Sequence, residues 1–280
     1  MKFLTNTADY NKTITIAKEL TGVYTKPVIF HCYWNGILNE KHLYSILSFH
    51  YFNVNNNSNN KIILWLENNT SNNYNIEIEK YAEIKYFSMD AEIKNTFLEN
   101  YSYNFTTMYF KSDYIRCILL YNYGGCWFDL DCLCLRNFDP IFKTYEDSIC
   151  LYQWACSSRP NNAIYISLHV KSDKMKKNME FIMERNKGWG CYQADLNSIL
   201  PLDILILPCS WFDAGWINTP YSKAESFISI FNTVEEEINF DNFFNGSFCY
   251  HWHNKWHMKL QDNSPLLQLI NIIKLNYKDT

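Results

Sequence analysis

At 280 residues, with 48% hydrophobic and 19% charged side chains, the chain can fill one large core with at most a small appended piece. A net charge of −4 argues against a protein that holds nucleic acid by neutralising phosphates. No apolar run reaches the ~18 residues of a membrane span, and the opening MKFLTNTADYNKT lacks the apolar stretch of a secretory signal, so a soluble, cytoplasmic protein is expected.

Residues 1–26 are polar, with a short helix expected over Thr13–Leu20, and read as an N-terminal cap. Pro27–Trp34 is an apolar strand stopped by the turn signal Asn35-Gly36. A helix over Lys41–Phe52 and an Asn-rich loop lead to a second strand, Lys61–Glu67. Another Asn/Ser loop precedes a third strand, Ile84–Phe87, and Asp90–Asn100 reads as helix. A helix from Lys111 ends at Gly124-Gly125, since glycine takes left-handed cap geometry without a Cβ penalty. Cys126–Leu135 follows as one near-continuous apolar strand, of the kind covered on both faces. Beyond a Pro140 turn come a strand over Ser148–Tyr152, a helix over His169–Arg185 and a loop, Gly188-Trp189-Gly190, before Asp195. A late strand, Ile204–Pro208, and a final helix, Leu266–Leu275, complete the chain. The alternation predicts an α/β fold, a single Rossmann-like, mostly parallel sheet flanked by helices. The main domain spans 27–262 and a C-terminal helix 263–280.

The chemistry concentrates in KSDYIRCILLYNYGGCWFDLDCLCL. Asp113 and Arg116 lie three residues apart, hence on one helix face. Asp129 and Asp131 interrupt an apolar strand, where unpaired carboxylates are costly. Alternate strand residues share a face, so the two carboxylates are expected to point the same way and offer hard oxygen ligands to Mn²⁺ or Mg²⁺. Such a cation keeps positions for diphosphate oxygens. Ten cysteines without a Cys-x-x-Cys spacing read as reduced, buried apolar residues rather than zinc ligands. His31 reads as a packed strand residue.

These residues carry a resemblance. Ser112-Asp113, Arg116, Gly124-Gly125 and Asp129-x-Asp131, in this order and spacing, resemble the sugar-binding Asp-x-Asp region of GT-A fold glycosyltransferases. The likeness is strongest to glycosyltransferase family 32, which includes yeast initiating mannosyltransferases and bacterial capsular polysaccharide enzymes; glucosylating toxins share the string. Trp127 stands where relatives carry Tyr. Pro27-Val28-Ile29-Phe30-His31 through Trp34 resembles the family's first strand, and His251-Trp252 with Trp256 its closing motif, with Lys255 in place of the usual Ser.

The resemblance implies a metal-dependent, retaining transfer of a sugar from a nucleotide-sugar donor to a glycan or protein hydroxyl. A UDP-sugar is favoured and a GDP-sugar possible. Asp131 would bind the cation directly, and Asp129 the ribose or the sugar, with a water-mediated cation contact as an alternative. Asp113 and Arg116 would hold sugar hydroxyls or diphosphate oxygens, Asn162 a hydroxyl, and Trp34 and Trp256 the donor, with Trp34 stacked on the base. The alternative for Trp34 is a core position. His251 would complete the cation's shell, while His253 and His257 read as bystanders. A catalytically inactive, transferase-like binding protein is the competing class. A nucleotidyltransferase is disfavoured, because no Gly-rich phosphate loop follows the first strand.

Overall fold

Short β-branched and aromatic runs between Asn- and Gly-rich turns become the strands of one central sheet. The computed structural model describes residues 2–3, 10–55, 59–67, 73–100, 108–154, 160–185, 203–216 and 229–278. The Gly188–Gly190 loop and Asp195 lie outside them. In chain order the first half runs β1 (Lys2–Phe3), α1 (Tyr10–Glu19), β2 (Ile29–Trp34), α2 (Glu40–Asn53), β3 (Lys61–Leu66), α3 (Asn73–Ile78), β4 (Glu83–Tyr86) and α4 (Met89–Ile93). Then follow α5 (Met108–Tyr123), β5 (Gly125–Phe128), β6 (Cys132–Cys134), α6 (Asp139–Thr144), β7 (Ile149–Gln153) and β8 (Pro160–Ser167). The last elements are α7 (Asp173–Arg185), β9 (Ile204–Leu207), β10 (Cys249–His251) and α8 (Pro265–Lys278).

Eight strands form the main sheet in the order β1-β9-β7-β8-β5-β2-β3-β4. Only β8 runs against its neighbours, β5 and β7; every other pair is parallel. The expected α/β fold with a mostly parallel, helix-flanked sheet is therefore present. Side chains alternate between two cores, as the strand period requires. Phe30, Cys32, Ile62 and Leu64 pack with Leu47 and Phe49 of α2 and Leu269 of α8. Tyr33, Ile63, Trp65 and Trp127 pack with Ile115 and Ile118 of α5 and Met179 of α7. Burying each large apolar side chain contributes about 1.5–3 kcal/mol. His31 is a buried strand residue, as expected: its Nε2 is 3.0 Å from the Gly124 carbonyl, and Trp65 Nε1–H donates to its Nδ1 at 3.1 Å.

The glycine pair is sterically required. Gly124 and Gly125 have φ of +64° and +111°, and a Cβ on Gly125 would stand 2.1 Å from the Ile29 carbonyl oxygen. The tight exit from α5 thus brings β5 directly against β2.

Two readings are corrected. Cys126–Leu135 is two short strands, not one. The Asp129 N–H makes the last rung to β8, at the Ala163 carbonyl (2.8 Å), and the chain then turns, with Cys132 N–H donating to Asp129 O at 3.0 Å. β6 pairs antiparallel with β10 in a separate two-stranded sheet. The sheet strand ends where carboxylates begin, because its apolar faces offer them no partners. Asp90–Asn100 is helical only as far as Ile93: Lys94 is extended and Asn95 takes a φ of +60°. Among the described residues, no helix is long and apolar enough to cross a membrane, and the eight cysteines described as free are all buried.

Candidate active site

A cavity of about 430 Å³ opens at the carboxyl ends of β2 and β5, within the size range of small-ligand sites. This edge of a parallel sheet is where α/β folds bind ligands. The cavity is lined by Trp34, Asp113, Arg116, Asp129, Asp131, Asn162, His251 and Trp256, every site residue singled out in the sequence.

One wall comes from α5, β5 and β8. Arg116, buried on the inner face of α5, donates to Asn162 through Nη1, at 2.8 Å to Oδ1 and 2.6 Å to the carbonyl. Its Nη2 lies 3.3 Å from Asp129 Oδ1 and 3.5 Å from Asp113 Oδ1, and its guanidinium sits 4.9 Å from the Trp127 ring centroid. Asn162 Nδ2–H donates to Asp113 Oδ1 at 2.8 Å. The fork is thereby held by several acceptors at once, an arrangement a lysine cannot reproduce. Trp127 Nε1–H donates to Asp129 Oδ1 at 2.7 Å, so an indole makes a polar contact at this position. Burial pushes the Asp129 carboxyl up to about 6, against the pull of Arg116 and with a further push from Asp131.

The opposite wall is made of turns. The Asp131 carboxylate is buried, with Oδ2 3.2 Å from His251 Nε2 and accepting the Asn254 N–H at 2.6 Å. Trp252 N–H donates to the Asp131 carbonyl at 2.9 Å. The register of β10 on β6 sets His251 opposite Cys132, which carries the imidazole to Asp131. His253 and Asn254 both have left-handed backbone, at φ +51° and +57°, strain that persists only where neighbours over-determine it. Burial would raise the Asp131 carboxyl, but His251 overrides it and holds it below the ordinary range. Burial likewise opposes a charged His251, yet Asp131, Asp213 and Asp129 lift it to about 9.

The expectation that Asp129 and Asp131 share a face by strand alternation is replaced by a different cause. They flank the turn after β5, and Asp129 is held toward Arg116 while Asp131 is held toward His251. His253, read as a bystander, lines the cavity: its ring stacks on His251 at 3.9 Å, and its Nε2 is 2.9 Å from Asp213 Oδ1. His257 is exposed and outside the cavity lining. Asp213 and Tyr152 were not foreseen, and no sequence spacing signals them. Lys41 was also missed. Its ammonium is buried in the closing turn, donating to the Lys255 and Trp256 carbonyls at 3.0 and 3.2 Å and to the Met258 carbonyl. It lies 4.1 Å over the Phe231 ring. The Trp256 ring stacks on His42 at 4.2 Å, and Trp34 stands edge-on to both, at 4.2 Å from His42 and 5.0 Å from Trp256.

The donors suit a divalent cation. The candidate ligand atoms of Asp131, Cys132 and His251 lie within 4.8 Å of one another, and carboxylate oxygen with imidazole nitrogen suits Mn²⁺. Burial raises the Cys132 thiol well above its ordinary value, which leaves it a poor ligand beside them.

Residues 39–149 match the family described as "Glycosyltransferase sugar-binding region containing DXD motif". Asp129-Leu130-Asp131 falls inside that match as its Asp-x-Asp. No curated protein matches the sequence. Among solved structures the chain is similar to the glycosyltransferase GlyE of Streptococcus pneumoniae TIGR4, with a TM-score of 0.55 and 12% identity over 91% of this chain and 64% of that one. The apo form of GlyE gives a TM-score of 0.52 with the same identity and coverage. The chain thus spans less than two thirds of the length of GlyE. A weaker likeness to "PaToxG Glycosyltransferase" has a TM-score of 0.40 and 13% identity over 69% of this chain and 71% of that one. The fold is thus that of GT-A glycosyltransferases, and residues 39–149 match a sugar-binding region that carries the Asp-x-Asp motif.

Proposed function

We propose that the chain moves a sugar from a nucleotide-sugar donor, a UDP-sugar in preference to a GDP-sugar, to a hydroxyl of a glycan or protein acceptor. The transfer uses Mn²⁺ or Mg²⁺ and retains the anomeric configuration. The observation that carries this reading is the convergence of both Asp-x-Asp carboxylates in one cavity, between a fixed guanidinium and a buried histidine.

Asp131 and His251 would hold the cation, which would neutralise charge on the diphosphate leaving group. Asp129, anchored by Arg116 and Trp127, accepts hydrogen bonds from ribose or sugar hydroxyls. Arg116, Asp113 and Asn162 form one rigid donor–acceptor surface against the sugar, so their orientation is set before the donor arrives. Trp34 and Trp256 present aromatic faces to the base. Tyr33, Asn35 and Met108 border the same cavity. In a retaining transfer the acceptor hydroxyl attacks from the leaving-group side, and no far-side base is needed. The buried, reduced cysteines support a cytoplasmic setting.

A screen of nucleotide sugars for hydrolysis with Mn²⁺ tests the reading. One donor or a few are expected to release free sugar, with the α anomer formed first from an α-linked donor. A catalytically silent binding protein would release none from any donor, and the transfer reading would then be wrong.

A further inference from the structure

His251 has two ring nitrogens, and only one faces Asp131. Its Nε2 lies 3.2 Å from Asp131 Oδ2, while its Nδ1 is 2.9 Å from the Tyr152 hydroxyl and 3.8 Å from Asp213 Oδ2. Tyr152, on β7, and Asp213, just beyond the turn at Cys209–Trp211, are both wholly buried. The Tyr152 hydroxyl also stands 3.5 Å from Asp213 Oδ2, and Asp213 Oδ1 is 2.9 Å from His253 Nε2.

The direction of these bonds follows from donor counting. A carboxylate only accepts, so the arrangement that gives all three groups a partner turns the Tyr152 hydroxyl proton toward Asp213 Oδ2, 3.5 Å away. The Tyr152 oxygen is then an acceptor toward His251, and Nδ1 must carry the hydrogen. With Nδ1–H committed to Tyr152, Nε2, which without a cation holds the hydrogen facing Asp131 Oδ2, is the nitrogen whose lone pair a cation displacing that hydrogen would meet. Metal-binding histidines are oriented this way, by a carboxylate or another oxygen on the far nitrogen. Asp213 also holds His253 flat against His251, so the imidazole has a neighbour on its face as well as a bond at its back.

We propose that Tyr152 and Asp213 are positioning residues that set the tautomer and aim of His251 toward the cation. This rests on the cation reading under Proposed function.

Mn²⁺ alone is the probe. Calorimetric titration of the full chain without donor is expected to give binding to the parent. Tyr152→Phe and Asp213→Asn are expected to bind about 10- to 100-fold more weakly. Tyr152→Phe removes one oxygen and keeps the ring in the core, and its metal-free melting temperature serves as the fold control. Pulsed electron paramagnetic resonance should show nitrogen coupling to bound Mn²⁺ in the parent and a weakened coupling in Tyr152→Phe, a change that a loss of stability alone does not produce. Raising Mn²⁺ should return kcat of the variant toward the parent value. Parent and variants with equal affinity and equal coupling, alongside a His251→Ala variant that loses both, would overturn this inference and leave the cation reading intact. A parent that takes up no Mn²⁺ would overturn the cation reading, and this inference with it.

Discussion

The two walls of the cavity are built on different principles. The Arg116 wall is made of regular elements: a helix face, a strand end and the start of the antiparallel β8. Its charges are close-packed and already paired, with Arg116 between two carboxylates and an amide. The His251 wall is made of turns drawn from distant parts of the chain, with backbone strain at His253 and Asn254 and a chain of polar groups running inward to Asp213. The contrast suggests a division of labour. Under the proposed function, the wall on rigid elements would hold a neutral, shape-defined ligand such as a sugar, and the wall of turns would collect ligands for a cation.

The largest expected effect falls on the turn-built wall. Asp131→Asn should lower transfer by at least about 100-fold while circular dichroism shows the fold intact, because it removes the charge that His251 and the Asn254 N–H converge on. Near-parental turnover in a folded variant would show that the two walls do not share the work as proposed. Asp129→Asn should also be severe, but through donor affinity as well as rate.

On the other wall, Arg116→Lys should cost about 3 kcal/mol in transition-state stabilisation or folding, since an ammonium cannot bond Asn162 and both carboxylates together. Steady-state kinetics and urea unfolding separate the two. If neither changes, the guanidinium fork adds nothing that an ammonium cannot supply.

A smaller effect is expected at Trp34, which stands between the walls. Trp34→Ala should weaken nucleoside diphosphate binding by about 1–3 kcal/mol, and Trp34→Phe by less. Calorimetry with Mn²⁺ present reads this directly, and an unchanged affinity would make Trp34 a packing residue of the His42–Trp256 stack.

The scaffold under both walls carries the smallest signal. Burial lowers His31 to about 4, below its usual 6.5. The unfolded chain therefore takes up a proton first, and stability present above pH 6.5 is lost as pH falls toward 4. The share of that loss due to His31 should be about 2 kcal/mol between pH 7 and pH 5, read by urea unfolding as the difference in slope between the parent and His31→Gln. An unchanged slope in the variant would show that His31 takes no part, leaving the uptake to His42 and His50, which burial also lowers.

The two walls also differ in how well they could be read from sequence. Asp113, Arg116 and the Gly-Gly stop have fixed short spacings on a helix and its cap, so their placement follows from local geometry. The sheet followed from alternating apolar runs. Asp129 and Asp131 were recognised for the right cost, two carboxylates in an apolar run, but the wrong geometry, because period-2 alternation carries no sign of where a strand leaves its sheet. Asp213 meets His253 across 40 residues, and Tyr152 meets His251 across 99. No spacing encodes such contacts; they exist only once β7 and β10 have found their places. His253 reads as a bystander in sequence because the closing motif singles out His251 alone, whereas the left-handed turn after β10 brings both rings together.

The most direct test of the account joins both walls through the cation. Protein stripped with EDTA and dialysed should not hydrolyse or transfer its donor. Mn²⁺ or Mg²⁺ should restore activity to the parent but not to Asp131→Asn. Full turnover by the metal-free parent would contradict the account, and restoration by Zn²⁺ alone would move the metal from the Asp-x-Asp toward the Asp213–His251–His253 cluster.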